Sequence, residues 1–318
     1  MRLLIAFLAA VSGATAFAQS YPSKPIRVVV PATPGGAIDL AARTIGAKLT
    51  EAWGQPVVVE NKGGAAGIVG SDSVAKAAPD GHTLALVASS HAINPSLYAK
   101  LPFDTVKDFA PVILTHVVPL VLVVNQALPA KSVNEFISYA KANPGKLSFA
   151  SSGNGGAPHL SAELFKAMAG IDMLHVPYKG STAAHPDLLS GQVPVMFDTV
   201  VAIAPHVKSG RVRALGVTTT RRSAVLPDVP PISQAGLPGY DTSTWGGVLA
   251  PGGTPMEIVA KLNAEIARIL KMPDVRERMM NAGSEPGGGT PGQFKAFIDA
   301  EMIKWAKVVK DSGAKADQ

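Results

Sequence analysis

Runs of apolar residues alternate with helix-period segments along the first third of the chain. Residues 26 to 30 form a β-branched run interrupted only by Arg27, which is typical of a strand that is buried on both faces. After Pro34-Gly35-Gly36 the apolar residues recur at helical spacing, through Ile38, Ala42, Ile45 and Leu49. Strands are also predicted at 57 to 60 and 83 to 88, with a glycine-rich turn at 63 to 70 that leads into a helix through 74 to 78. Repeated strand, glycine turn and helix units predict an α/β fold whose strands point their carboxyl ends at one edge.

A second set of these units begins after Val112. Residues 117 to 124 are strongly apolar, and Ser132 and Glu135 have the spacing of a capping box that opens a helix ending near residues 143 to 145. The remaining elements predicted in this set are, in chain order, a strand at 147–150, a glycine turn at 151–157, a helix at 158–169 and strands at 193–197 and 213–217.

Two helices predicted near the carboxyl terminus bring the chain back to its first half. Thr254 and Thr290 each precede a proline and stand three residues before Glu257 and Gln293, the pattern of an N-cap with Pro at N1. No strand is expected after either helix, so both are expected to cover a sheet that is already built. The interpretation is two lobes joined by two crossings, with domain I at residues 19–122 and 243–318 and domain II at residues 123–242.

Residues 1–18 have the pattern of a secretory signal peptide. Arg2 is followed by an apolar run from Leu3 to Val11 and by small residues that end at Ala18. The run is too short to span a membrane comfortably, and no later stretch reaches about 18 uninterrupted apolar residues. We therefore expect a cleaved signal and a mature chain that is exported to the periplasm.

Composition narrows the class of protein. The 318 residues are 47% hydrophobic and 16% charged, and none is cysteine, which excludes a disulfide scaffold and disfavours a disordered chain. The formal charge of +6 comes from 29 Lys and Arg against 23 Asp and Glu. Because the basic residues are not clustered, no nucleic-acid partner is expected.

The most informative segments are two glycine loops that each follow a predicted buried strand and open a helix. They run from Pro34 to Asp39 and from Ser151 to His159. Backbone N–H groups at a helix start lack partners and the helix dipole is positive there, so each loop suits an anion. Ordinary αβ turns also use glycine. Two such loops in corresponding positions nevertheless favour a ligand site.

Other chemistries find weaker support. Pro158 occupies the third glycine position of a dinucleotide fingerprint and no G-x-x-x-x-G-K-[ST] occurs, so no nucleotide cofactor is expected. Ser152, His159 and Asp198 could be assembled into a hydrolase triad, but the chain has no G-x-S-x-G elbow. His159 and Glu163 stand four residues apart without a third ligand, so no metal is expected either.

Further candidates for a ligand site follow other predicted strands. Ser89 and Ser90 could donate hydroxyl hydrogen bonds, and Tyr178 and Lys179 follow a short strand at 175 to 177. For Lys179, contact with an anion and exposure to solvent both stay open, as do ligand contact and helix capping for Asp198. Trp245 lies near the second crossing, where stacking on a ligand, wedging the hinge and packing in the core are the alternatives.

Several motifs are spread in a specific order over the mature chain. They include Val30-Pro31-x-x-Pro34-Gly35-Gly36-x-x-Asp39, Ala78-Pro79-Asp80-Gly81-His82-Thr83-Leu84, His175-Val176-Pro177-Tyr178-Lys179-Gly180 and Leu226-Pro227-Asp228-Val229-Pro230. In these motifs the chain resembles the Bug-type periplasmic solute receptors of tripartite tricarboxylate transporters. The resemblance implies a type II periplasmic-binding-protein fold, in which two α/β lobes joined by a two-crossing hinge close on a small organic carboxylate.

The resemblance also implies how the ligand is held and passed on. Backbone N–H groups, hydroxyls and ordered waters of the two glycine loops bind the carboxylate, and membrane permease subunits receive it. The first loop then supplies Gly36, Ala37 and Asp39, to which we add Thr33. The second supplies Ser152, Gly156, Ala157 and His159. Asp198 matches a position that meets the ammonium group of an amino-acid ligand. We expect a monomer that catalyses no reaction.

Two departures from the family pattern bear on the ligand. The family often has an aromatic residue at the place of Ala32 and a hydroxyl residue near Gly156, and this chain has neither. We expect a pocket for a longer or flatter acid, such as an aromatic or medium-chain dicarboxylate. The alternative function is an exported serine hydrolase that uses Ser152 or Ser90 with His159.

Overall fold

The computed structural model describes residues 21–316 as two α/β lobes that share one long strand. The expected signal peptide, residues 1–18, lies outside the described residues. Within residues 21–316, no helix is long and apolar enough to cross a membrane. The strands, in chain order, are β1 (Ile26–Val30), β2 (Val57–Asn61), β3 (Thr83–Ala88), β4 (Phe109–Asn125), β5 (Ser148–Ser151), β6 (Leu174–Pro177), β7 (Val195–Thr199), β8 (Val212–Val217), β9 (Ser243–Pro251) and β10 (Glu285–Gly288).

Helices cover both faces of the sheet in each lobe. They are α1 (Ala37–Trp53), α2 (Ile68–Ala75), α3 (Ser90–Leu97), α4 (Val133–Ala142), α5 (Ala157–Ala169), α6 (Ser181–Ser190), α7 (Val200–Lys208), α8 (Ile232–Ala235), α9 (Met256–Leu270), α10 (Pro273–Asn281) and α11 (Pro291–Ser312). A short 3₁₀ turn, Ala65–Gly67, precedes α2.

Apart from β10, which pairs with β4 in the first lobe, both lobes have the same strand order. In the first lobe it is β2-β1-β3-β9-β4, in which β1, β2 and β3 are parallel and β9 is antiparallel to both of its neighbours. In the second lobe it is β6-β5-β7-β4-β8, in which β4 is antiparallel to β7 and β8. Strand β4 pairs with β9 as far as Pro119 and with β7 from Leu120 onward. The chain therefore crosses between the lobes at this point and returns before β9.

Burial on both faces explains the apolar composition of the strands. Val28 and Val30 of β1 pack in the cluster that contains α1 and α9, whereas Val29 packs on the other face with Val74 and Phe294. Side chains alternate between the faces of a strand, so a sheet covered on both faces requires a continuous apolar run. The second lobe repeats this arrangement along β4.

One apolar cluster joins the two lobes. It contains Ile93 of α3, Leu160 of α5 and Trp305 of α11, all of them buried. The long helix α11 thus contacts a helix of each lobe.

The structure also corrects several predicted elements. Strand β4 has 17 residues and extends on both sides of the apolar run at 117 to 124, and α2 begins at Ile68, inside the predicted glycine turn. The expectation that no strand follows α9 is wrong, because β10 pairs with β4. Thr290 forms both halves of its predicted capping box, whereas the Thr254 hydroxyl donates to the Pro251 carbonyl and does not cap α9.

Candidate functional site

The first glycine loop enters α1 through two glycines of different conformation. Gly35 has a φ of +90°, and Gly36 is extended at φ −80° and ψ 174°. Gly36 is the N-cap of α1, and no side chain caps the helix. Leu40 is the first residue whose N–H reaches back to the Gly36 carbonyl, at 3.0 Å. The N–H groups of Ala37 and Ile38 therefore have no partner inside the helix and suit an anion.

Asp39 stabilises this loop from inside the lobe. Its carboxylate is 4% exposed and accepts hydrogen bonds from the Gly35 N–H at 3.0 Å, Arg43 Nε at 3.1 Å and Asn61 Nδ2 at 3.0 Å. Burial opposes ionisation of Asp39, but the bonds from Arg43, Gly35 and Asn61 outweigh it and hold the pKa of the carboxyl below its usual value. Asp39 is thus charged at neutral pH and positions the loop.

The second glycine loop has the same backbone form. Gly155 has a φ of +68°, and Gly156 is extended at φ −75° and ψ 164° as the N-cap of α5, again without a side-chain cap. The Gly155 N–H donates to His159 Nδ1 at 3.0 Å. Pro158 has no N–H, so this helix start lacks the donor that Ile38 supplies in the first lobe.

Three of the predicted second-lobe residues lie side by side. The Gly180 N–H donates to the Ser152 carbonyl at 3.3 Å, which holds the Tyr178-Lys179 segment against the glycine loop. Lys179 is exposed. The Tyr178 hydroxyl donates to Asp187 at 2.5 Å. Burial, followed by the neighbouring Asp187, raises the pKa of Tyr178 to about 12, so its hydroxyl keeps its proton.

A cleft of about 250 Å³ lies between the lobes and brings Ser90 and Gly156 to one cavity. Its other lining residues are Ala65, Ala66, Asn94, Leu97, Tyr98, Asn154, Gly155 and Ala316. None of the predicted first-loop residues lines this cavity, and Thr33 and Gly36 are exposed. The predicted second-lobe residues that do not line it include Ser152, Ala157, His159, Tyr178 and Lys179.

Sequence reasoning missed the segment at Ala65 and Ala66. Both residues have positive φ, +46° and +51°, a conformation that is uncommon for a residue other than glycine. Asn94 Nδ2 donates to the Ala66 carbonyl at 3.1 Å and so ties this segment to α3. Only the glycine-rich composition of residues 63 to 70 hinted at an irregular backbone here.

Three other predicted residues are buried inside the lobes. Ser89 shares a hydrogen bond of 3.0 Å with Thr244, and Trp245 Nε1 donates to Glu301 at 3.0 Å. Asp198 is fully buried and accepts from Ser181, from His185 at 2.9 Å and from the Thr199 N–H at 2.7 Å. Their polar atoms are engaged within the fold, so they do not line the cleft. Of the alternatives for Trp245, core packing is the one observed.

A larger groove, about 620 Å³, lies between α11 and the second half of α5. No residue of either glycine loop lines it. Within residues 21–316, no group of three or more His, Cys, Asp or Glu is arranged to hold a metal ion.

A family model described as the tripartite tricarboxylate transporter family receptor, TctC, matches residues 41–314. The chain belongs to this receptor family. The receptor is 40% identical over 300 residues to Protein BugT of Bordetella pertussis, an alignment that covers 94% of this chain and 92% of that protein. The predicted likeness to Bug-type receptors is therefore confirmed.

Two solved structures agree with this assignment. The receptor matches an R. palustris protein solved with adipate at a TM-score of 0.79 and 40% identity, covering 93% of this chain and 99% of that one. It matches MatC from Rhodopseudomonas palustris with bound malate at a TM-score of 0.74 and 36% identity, covering 91% and 100%. The predicted two-lobed periplasmic-binding-protein fold is confirmed. Members of this family are solute receptors of the periplasm, and nothing in these matches supports the serine-hydrolase alternative.

Proposed function

We propose that the receptor captures a small organic carboxylate between its lobes and delivers it to the membrane permease subunits of a tripartite tricarboxylate transporter. The pair of helix starts without side-chain caps carries this proposal, because each one presents backbone N–H groups and the positive end of a helix dipole. Adipate and malate in the two related structures support a carboxylate ligand.

Hinge closure is the means of capture that we propose. A ligand that contacts both lobes stabilises the closed state, which neither lobe achieves alone. We assign residues 19–122 and 243–318 to one lobe and residues 123–242 to the other. The change of β4 partners after Pro119 and the start of β9 at Ser243 support these boundaries.

The ligand contacts that we propose come from the glycine loops and their neighbours. They are Thr33, Gly36, Ala37, Ser90, Ser152, Gly156, Ala157, Tyr178 and Lys179. Asp39 and His159 act one layer behind, where each holds the N–H of a loop glycine. Ser89, Asp198 and Trp245 support the walls, and contact of Asp198 with a ligand ammonium group would require its partners Ser181 and His185 to move.

We infer that the ligand is a medium-chain dicarboxylate or an aromatic acid. Residue 32 is an alanine rather than an aromatic residue, and the cleft of about 250 Å³ extends from Gly156 to Ser90 and Tyr98. The relative with adipate, at 40% identity, supports the medium-chain alternative.

We further propose a cleaved signal at residues 1–18, a monomeric receptor in the periplasm and no catalysis. The contacts of the rival hydrolase's residues support the last point. His159 Nδ1 accepts from the Gly155 N–H, and the hydroxyl of Ser151, which contacts His175, donates to the Gly153 carbonyl at 3.0 Å.

A thermal-shift and calorimetry panel tests the ligand class. Succinate, adipate, suberate and phthalate are compared with aspartate and with neutral adipamide as controls. Adipate or phthalate is expected to raise the melting temperature, since free ligand at 100 times Kd stabilises a fold by about 2.7 kcal/mol. Stabilisation by aspartate alone would contradict the proposed acid class. The receptor function would be contradicted if no carboxylate bound and native mass spectrometry found no co-purified acid. Turnover of an ester or amide panel would also contradict it.

A further inference from the structure

The two glycine loops are closed by the same hydrogen bond with chemically different acceptors. In each loop the glycine before the N-cap donates its N–H to the side chain four residues later, at 3.0 Å. In the first lobe Gly35 donates to Asp39 Oδ2, and in the second Gly155 donates to His159 Nδ1. The residues stand in the common pattern Gly-Gly-Ala-x-(Asp or His). His159 thus occupies the structural position of Asp39.

The two acceptors differ in how they respond to protons. The Asp39 carboxylate is held ionised by its partners and accepts at any pH above the acid range. An imidazole nitrogen accepts only when it carries no proton, so Nδ1 of His159 requires the neutral ring with its proton on Nε2. Glu163 Oε1 lies 3.8 Å from Nε2, on the side where this tautomer carries its hydrogen.

We propose that neutral His159 is the positioning residue of the second-lobe loop and that its protonation releases the ligand. A proton on Nδ1 would face the Gly155 N–H, and two donors at 3.0 Å cannot share a hydrogen bond. Gly155 would then leave its φ of +68°, and the start of α5 would lose the geometry that presents the Ala157 N–H to the carboxylate. This inference rests on the proposed function of the loops.

Other titratable and charged groups near His159 determine the electrostatic environment of its ring. The ring of His175 on β6 stacks on it with centroids 3.7 Å apart and planes 8° from parallel, so a charge on one ring opposes a charge on the other. Glu163 of α5, which faces His159, also forms an ion pair with Lys166 at 3.0 Å. Phe149 of β5 completes the stack without a charge. Glu163 also lines the groove next to α11, whose charged lining residues are Lys304, Lys307 and Asp311.

His175 supplies a matched comparison. Its Nε2 contacts Ser151 Oγ at 2.7 Å, while that hydroxyl also donates to the Gly153 carbonyl, so His175 is the donor in its bond with Ser151. Protonation of His175 therefore leaves its bond intact, whereas protonation of His159 breaks one.

Nuclear magnetic resonance of the full mature chain, labelled with 15N in glycine and histidine, tests the positioning role without a ligand. At pH 8 the ring nitrogens of His159 are expected to report the Nε2–H tautomer. Between pH 8 and pH 5 the Gly155 amide is expected to shift with the midpoint of His159, while the Gly35 amide stays constant. An Nδ1–H tautomer at pH 8, or a Gly155 amide that ignores the His159 titration, overturns the proposal.

Substitutions separate His159 from its neighbour. His159→Asp gives the second loop the acceptor of the first, and the Gly155 titration is expected to disappear. His175→Gln keeps a donor for Ser151 and is expected to leave the Gly155 titration in place. Loss of the titration in the His175 variant and its persistence in the His159 variant would contradict the assignment. The wild-type titration decides the matter even if a variant fails to fold.

Calorimetry with adipate as the probe links the loop to binding. The measured quantity is the ratio of the wild-type affinity to that of His159→Asp at the same pH, which cancels the titration of adipate itself. This ratio is expected to fall about tenfold for each pH unit below the His159 midpoint, because the neutral fraction of His159 falls by that factor. A constant ratio overturns the link to binding. Absence of adipate binding at pH 8 in either protein would count against the proposed ligand class, while the resonance experiment still decides the role of His159.

Discussion

The two lobes present the same glycine loop and stabilise it in different ways. In the first lobe the acceptor is a carboxylate within a polar network that also contains Arg43 and Asn61. In the second it is an imidazole stacked on His175 and flanked by Phe149. The loop conformation therefore requires a lone pair at the third helical position and does not require a charge. The difference in acceptor gives the lobes different sensitivity to pH.

The lobes also differ in the donors that they offer a ligand. The first helix start supplies the N–H groups of Ala37 and Ile38, whereas Pro158 removes the equivalent of the second donor from the other lobe. Lys179, exposed beside Ser152, stands near the loop that has lost this donor. We therefore expect the first lobe to bind the ligand through its backbone and the second to add a side-chain cation.

The largest expected effect comes from removing the acceptor of the first loop. Asp39→Ala removes the charged acceptor of the Gly35 N–H, of Arg43 Nε and of Asn61 Nδ2, and hydrogen bonds to a charged group are worth about 1.5–3 kcal/mol each. We expect a loss of about 3 kcal/mol in the free energy of unfolding by urea. Asp299→Ala, which removes an exposed partner of Lys295, serves as the control and is expected to cost less than about 0.5 kcal/mol. A loss below about 1 kcal/mol for Asp39→Ala would contradict its bracing role.

A matched pair of prolines compares the donors of the two lobes. Ala37→Pro and Ala157→Pro each remove the N–H at the first helical position, where proline is well tolerated, and the preceding Gly36 and Gly156 are already extended. Each variant is expected to bind adipate at least tenfold more weakly by calorimetry, since a bond to a charged group is lost. Melting temperatures within a few degrees of wild type serve as the folding control. Unchanged affinity in both variants would rule out the helix starts as the binding site.

Acid titration isolates the charge of Asp39. A carboxyl with a lowered pKa in the folded state stabilises the fold above its unfolded pKa, and this contribution is lost as the pH falls through the folded value. The destabilisation caused by Asp39→Asn, measured by urea unfolding, is therefore expected to be largest at pH 7 and to shrink below about pH 4. A difference that stays constant down to pH 3 would show that the charge of Asp39 contributes nothing.

The smallest effect is expected at Lys179. Because this side chain is exposed, its attraction to a carboxylate is screened by solvent and salt. Lys179→Met is expected to weaken adipate binding about twofold to threefold at low salt and by less at high salt. Lys131→Met, on an exposed residue next to the start of α4, provides the control for net charge. Loss of all binding would mean that the second lobe relies on its cation more than on its backbone.

Elements whose signal is local were predictable. Strands β1 and β3 and the capping box at Thr290 occur where their patterns predicted them, because burial on both faces and N-cap chemistry leave a mark in a few consecutive residues. Strand β9 left no such mark. A Cβ atom on its Gly247 would lie 2.0 Å from the ring of Phe294, so glycine is required there by a residue far along the chain. Strand β10 likewise reads Glu-Pro-Gly-Gly and is a strand only through its pairing with β4.

In the candidate site, too, features with a local sequence signal were predictable and features that depend on tertiary contacts were not. By itself, the sequence determined the two glycine loops, the helices that they open and the family, since each depends on residues that are close in the chain or in a fixed order. Only the tertiary structure decided which residues reach the cleft, because Ala66 and Asn94 meet through a contact between separate segments, and Ser89, Asp198 and Trp245 are taken up by partners from other elements. It also decided that Asp39 and His159 turn inward to hold a glycine N–H, because the direction of a side chain follows from the partners that surround it in the folded chain.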